Sequence, residues 1–232
     1  MHMSDGLVNA PTAAAFGLVS AIGLAIAVNR SRADLDDRTA PMAGLVTAFV
    51  FAVQMINFPI LPGASGHLLG GALVAILVGP WVGALSIAIV LAVQALLFAD
   101  GGLTALGTNI FNMALVGVFV GYAVATALRP LARRGRAGLL ATAFVAAFAN
   151  TIAAAAAFVV QYAVGGAGGA SLGTVLTLML GLHALIGIGE GLITAATVGA
   201  VAATRPDLVY LLRGSGRKLE LRRPATAEGS TS

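Results

Sequence analysis

Between Arg38 and Asp100 the chain contains no lysine, arginine, aspartate or glutamate. The same holds from Gly101 to Leu128 and from Ala137 to Gly189. About a quarter of the residues in a soluble domain are charged, whereas only 9% are charged here and 59% are hydrophobic. Charge-free runs of this length suit hydrocarbon, where a helix satisfies its own backbone groups and about 20 apolar residues cross the bilayer. The expected fold class is therefore an all-α, multi-pass membrane bundle, with one transmembrane domain over residues 1–204 and a polar tail over 205–232. The mean hydropathy of +0.97 agrees.

Seven spans are expected, near Thr12–Val28, Met42–Phe58, Leu68–Gly79, Trp81–Ala99, Asn109–Leu128, Leu139–Val164 and Gly173–Ala203. The third is short. Its residues reach about 18 Å as a helix, against a hydrocarbon core of about 30 Å. Residues 68–99 read alternatively as one long helix bent at Pro80. Charge favours the hairpin. With seven spans, the loop 29–40, the loop 129–138 and the tail lie on one side, and they hold every lysine and arginine in the chain. The positive-inside rule then places the N-terminus outside and the C-terminus in the cytoplasm. The net charge of +4 thus reads as membrane topology, and no nucleic-acid partner is expected. The tail from Gly214 reads as polar and mostly disordered.

The outer side receives residues 1–11, 59–67, 100–108 and 165–173, none with a basic side chain. No cleavable leader is expected, because the residues before Pro11 lack a basic region. Met1 is then the mature terminus. Cysteine is absent, which excludes disulfides and thiolate ligands. Of three histidines, His2 and His67 share this outer side. The α-amine of Met1, the backbone nitrogen of His2 and its ring Nδ1 can close a five- and a six-membered chelate ring on one metal ion. A fourth nitrogen from His67 would complete an N₄ square of the kind that suits Ni(II) or Cu(II). His67 sits in PGASGHLLGG, whose glycines suggest an irregular loop dipping into the membrane; an ordinary outer-loop histidine is the plainer reading. Asp5 and Asn9 either orient the terminal segment and back the ligands or simply form a turn.

In GLHALIGIGEGLIT, His183 and Glu190 are two helical turns apart and share a face. Intramembrane ionisable groups usually face the bundle interior with a partner. The pair reads either as a metal pathway or gate, or as a polar clamp with Asn112 or Gln94. Gly44, Ala48 and Ala52 line one flat helix face, for internal packing or for a partner helix. Neither HExxH nor GxSxG nor a Walker A loop is present, so no catalytic residue is assigned and any ATP is hydrolysed by another chain.

Four blocks in order, MHMSDG, PGASGHLLGGALVAILVGPW, FADGGLTALGTNIFNMALVG and HALIGIGEGLIT, resemble the CbiM/NikM family of substrate-capture (S) membrane subunits in energy-coupling factor transporters. The resemblance runs from Met1 to about Thr204. It implies a seven-helix S-component of the bacterial cell membrane whose terminal segment plugs the bundle from outside, with Met1, His2 and His67 as metal ligands. It also implies Co²⁺ or Ni²⁺ as the transported substrate, no organic cofactor and no enzymatic activity of the subunit itself. Cobalt uptake of this kind would feed cobalamin biosynthesis. The implied partners are a transmembrane coupling (T) subunit, ABC-type ATPase subunits, a small accessory membrane protein and membrane lipid, with Gly44, Ala48 and Ala52 as the coupling-subunit face. MSDG and GASGHL are closer to the nickel-like branch, and the choice of metal stays open. Two alternatives differ in class: an S-component for an organic vitamin, and an intramembrane enzyme using His183 and Glu190.

Overall fold

The computed structural model describes residues 1–35 and 39–213. Arg38 and the tail from Gly214, with Arg217, Lys218, Arg222 and Arg223, lie outside the described residues.

The chain opens with a two-residue strand, β1 (His2–Met3), and enters α1 (Ala10–Ser31) and α2 (Thr39–Gln54). A hairpin of β2 (Phe58–Leu61) and β3 (Ala64–Gly66) leads to α3 (Gly71–Val78) and α4 (Pro80–Leu97). A continuous rod follows, from α5 (Leu106–Ile110) through a π-helical stretch (Phe111–Gly117) into α6 (Val118–Ala127). The short α7 (Arg129–Ala132) precedes the two longest helices, α8 (Arg136–Gly165) and α9 (Leu172–Thr204), which pack along each other.

Every expected span coincides with a helix. Among the described residues, five helical segments are long and apolar enough to cross a membrane: α1, α4, the α5–α6 rod, α8 and α9. The apolar α2 has 16 residues. Leu18, Leu45, Ile89, Leu185 and Leu192 are all exposed on helix flanks. Such a broad apolar surface fits lipid, where neighbouring helices lose nothing by leaving leucines uncovered.

The third element differs in length from its expectation. Only eight residues are helical, a reach of about 12 Å, and all eight are buried. Leu68–Gly70 form a turn instead, ending at Gly70 in the left-handed region (φ 78°). The break at Pro80 is a reversal rather than a bend. Gly79 has φ 91°, Pro80 starts α4, and the Cα of Gly83 lies so close to Val74 that a side chain there would meet it at 2.9 Å. Residues 68–99 thus form the expected hairpin rather than one bent helix.

The expected irregular loop PGASGHLLGG is irregular over His67–Gly70, while its first part belongs to a regular element, the hairpin 58–66. This hairpin is antiparallel and bulged, and β1 adds to it as a third strand in the order β1-β3-β2. His2 pairs with Ser65 and Met3 with Ala64. Strands this short, pairing across more than sixty residues, leave no periodic trace in sequence.

Candidate metal centre

The terminal segment is seated across one end of the bundle by backbone bonds at every step. Ser4 N–H donates to Gly63 O (2.9 Å), and Gly102 N–H donates to Met3 O (2.9 Å). Asn109 brackets Met3 from the rod: its Oδ1 accepts from Met3 N (2.8 Å) and its Nδ2 donates to Met3 O (3.1 Å). Farther on, Asn9 N–H donates to Gly165 O (2.7 Å) and Ala167 N–H to Leu7 O (2.9 Å). Met1, His2 and Met3 are consequently at most 2% exposed. The 100–105 loop comes so close that a Cβ on Gly102 would stand 2.3 Å from Asp5 N.

This seating brings the terminal amine of Met1 against Nε2 of His67 in a buried contact. His67 is 1% exposed, and its Nδ1 lies 2.8 Å from Leu68 O. That carbonyl takes the ring proton, so Nε2 turns its lone pair toward the amine. The rings of His2 and His67 stand 4.5 Å apart at their centroids. The sulfur of Met113 lies 3.7 Å from the same amine.

The two nitrogens of His2 face other partners. Its Nδ1 lies 2.9 Å from Asp100 Oδ1, while its buried Nε2 has no partner. Its backbone is the opposite number of Ser65 in the ladder. Because the Ser4–Gly63 pair two residues along is hydrogen-bonded, alternation puts His2–Ser65 in the hydrogen-bonded class too. Of the expected donors, the structure points two at each other, the amine and His67 Nε2, and leaves those of His2 alongside.

Burial lowers the basicity of all three groups. The Met1 amine is held well below its ordinary value by desolvation, against the pull of the Asp100 and Glu190 carboxylates. His67 is also pushed well down, first by burial and then by the amine's charge and His2. His2 is lowered by burial, with the Asp100 hydrogen bond opposing. For Asp100, burial acts upward but is outweighed by the His2 hydrogen bond and charge, so its carboxyl sits below the usual range. Burial thus biases these nitrogens toward the neutral form, which metal ligation needs.

The expected supporting residues separate into distinct tasks. Asp5 accepts from Thr104 N (2.7 Å) and Oγ1 (2.5 Å), which lower its pKa and tie the terminal segment to the 100–105 loop. Asn9 caps α1, its Oδ1 accepting from Thr12 N at 3.0 Å; the turn reading holds for it. Asn112 donates to Gln161 Oε1 (2.9 Å) rather than to Glu190. His183 bonds back to Met179 O (2.8 Å), and its buried Nε2 has no partner. Glu190 is clamped, but not by Asn112 or Gln94. Its Oε1 accepts from Gly70 N (3.0 Å) and Asn150 Nδ2 (2.7 Å), and its Oε2 from Leu69 N (2.8 Å) and Thr151 Oγ1 (2.9 Å). His183 and Glu190 form no acid–base pair, since each is engaged with other groups.

Comparison with known proteins adds an independent line. The family described as "cobalt uptake substrate-specific transmembrane region", CbiM, matches residues 2–208. The chain belongs to the CbiM family.

A putative metal transport protein of Haloquadratum walsbyi is 40% identical over 90% of this chain and 94% of its own length. A putative fused nickel transport protein of Archaeoglobus fulgidus is 41% identical over 94% of this chain and 70% of its own. The cobalt transport protein CbiM of Sorangium cellulosum is 32% identical over 92% and 96%. A crystal structure of a transition metal transporter superposes with a TM-score of 0.77 at 30% identity, covering 92% of this chain and all of that one. Membership of this family, with five apolar helices of spanning length among the described residues, makes the chain a multi-pass membrane protein of a metal-transport family.

Two features of this family member escaped the sequence reading. Asp100 is the first. Only Asp5 and Asp100 supply carboxylates to the expected outer segments, and that scarcity beside two histidines was the available signal. The π-helical stretch carrying Met113 is the second, and no sequence cue for it is evident. The small-residue stripe is clearer. Gly44, Ala48 and Ala52 are exposed, opposite the buried Val46, Val50 and Gln54 of the same helix. Gly44 and Ala48 line an open apolar groove between α2 and α4 of about 480 Å³.

Proposed function

We propose that this subunit captures Co²⁺ or Ni²⁺ on the outer face of a bacterial cell membrane through Met1, His2 and His67, and passes the ion inward within an ATP-driven, energy-coupling factor type complex. The supporting observation is the convergence of the terminal amine and His67 Nε2 in a buried pocket beside the His2 ring. In this reading the chain crosses seven times, with α2 and α3 as the short crossings. The N-terminus is outside and the arginine-bearing loops are in the cytoplasm.

Capture completes around His2. A half-turn about its Cβ–Cγ bond moves Nδ1 away from Asp100 and brings the Nε2 edge to that side, and no partner holds Nε2 in place. Asp100 then backs the ligating ring as an acceptor, a common arrangement for metal-bound histidine. The amide nitrogen of His2 leaves its ladder position and gives up its proton to join the square. Burial disfavours protons on the amine and imidazoles, so the proton released on capture is chiefly that of the His2 amide, and binding weakens as pH falls. The exposed stripe of Gly44, Ala48 and Ala52, with the groove beside it, is the face offered to the transmembrane coupling subunit. ATPase chains and a small accessory membrane protein complete the complex.

The test is to place one alanine before Met1 and titrate the purified protein with Ni²⁺ and Co²⁺ by calorimetry. The extension converts the amine to an amide and displaces a buried terminus, so binding is expected to fall by at least about 100-fold. Unchanged affinity would overturn the terminal-amine mechanism.

A further inference from the structure

His67 lies on a non-helical turn, and a ligand on a turn is only as well placed as the turn is rigid. The turn 67–70 is held from three helices. From α9, the two oxygens of Glu190 accept the consecutive N–H groups of Leu69 and Gly70. From α8, Asn150 and Thr151 each donate to one oxygen of that carboxylate and fix its orientation. From α2, Gln54 Nε2 donates to Leu69 O at 2.6 Å, and Val50 packs so tightly on Gly70 that a Cβ there would meet it at 2.7 Å.

We propose that Glu190 is a positioning residue for metal capture: it locks the Leu69–Gly70 backbone from within the bundle, so that His67 Nε2 stays aimed at the terminal amine. The inference rests on the reading of Met1 and His67 as ligands. Four donors converge on the carboxylate, and only a carboxylate side chain offers that many acceptor positions with no donor. Glutamine would turn an N–H₂ against one of these N–H groups. A clamp that served only to join α8 and α9 would need Asn150 and Thr151, but not the two backbone groups two and three residues after His67.

The test uses Ni²⁺ and the full chain in detergent, read by affinity and by the visible ligand-field band of the bound ion. Losing one nitrogen from the square moves that band to longer wavelength, as His67→Ala is expected to do. Glu190→Ala is expected to weaken Ni²⁺ binding by about 10- to 100-fold and to move the band to the His67→Ala position. Added to His67→Ala, it should cost nothing further, because the group it positions is already gone. Glu190→Gln should fall between wild type and Glu190→Ala. Should Glu190→Ala not fold, Thr151→Val removes one donor to the carboxylate and is expected to shift band and affinity in the same direction by less. A folded Glu190→Ala or Thr151→Val protein with wild-type band and affinity overturns the inference. So does an effect of Glu190→Ala that persists undiminished in the His67→Ala background, which is what a purely structural role gives. Failure here is separable from failure of the ligand reading: an alanine-extended protein that keeps the wild-type band refutes the amine as ligand, whatever Glu190 does.

Discussion

The two ends of the bundle solve opposite problems with different materials. At one end, three short strands, a turn and the chain's first nine residues close over Met1, His2 and His67, held by backbone groups and the neutral or acidic side chains of Asn9, Asn109, Asp5 and Glu190. At the other, the contacts are made by arginines and tyrosines. Arg129 donates to Arg213 O, Arg213 donates to Thr39 Oγ1 (2.7 Å) and lies over the Tyr210 ring, and Tyr210 donates to Asp34 Oδ1 at 3.3 Å. Backbone bonds hold a buried pocket at a fixed shape. The contacts at the other end run through long side chains, whose geometry is less tightly fixed than that of main-chain bonds. The difference teaches why the proposed capture site belongs at the end whose geometry is set by the main chain.

The sharpest way to break this contrast is Gly102→Val. A side chain there collides with Asp5 N at 2.3 Å and Asp5 Oδ1 at 2.4 Å, so the terminal segment must lift. Ni²⁺ affinity should drop on the order of 100-fold with helical content by circular dichroism unchanged. Retained affinity would show that the seat of residues 1–5 is not what makes the pocket.

Acid should act next most strongly, and on the same end. The folded-state values of the Met1 amine, His2 and His67 all lie below their ordinary ones, which are about 8 for an α-amine and about 6.5 for imidazole. Below those ordinary values the unfolded chain binds protons that the folded chain refuses, so the stability of the metal-free fold is full above them and declines as pH falls toward the folded-state values. Thermal unfolding from pH 8.5 to 5.5 should therefore give a falling Tm. A flat profile would mean the three nitrogens titrate as if exposed.

The smallest effect should come from the basic end. Tyr210→Phe removes the bond to Asp34 and should cost about 0.5–1.5 kcal/mol of stability, with Ni²⁺ affinity unaltered. Burial and Asp34 push this hydroxyl up to about 12, so it carries no charge for the substitution to remove. A change in metal affinity would show that the two ends communicate through α3, whose Gly79 packs on the Tyr210 ring.

The helices were legible in sequence because hydrocarbon demands one simple thing of them, a long run without charge, and the arginine distribution decided the hairpin at Pro80. Of the proposed site, the sequence offered the candidate donors. Bond counting along Met1–His2 selected the terminal donors, and glycine-rich flanks drew attention to His67. What stayed hidden was long-range pairing: β1 with Ser65, Asp100 with His2 and Asn57, and Glu190 with the Leu69–Gly70 turn. Helical spacing grouped His183 with Glu190, yet the partners of Glu190 lie on two other segments. One sequence carries the period of its own helix and not the identity of the turn that helix will meet.

The placement of β1 also sets an order of assembly. Its partners at Gly63–Ser65, Gly102, Asn109 and Gly165–Ala167 emerge from the ribosome long after it does. Residues 1–9 can therefore be fully seated only once α8 has formed, although they precede every one of these partners in the chain.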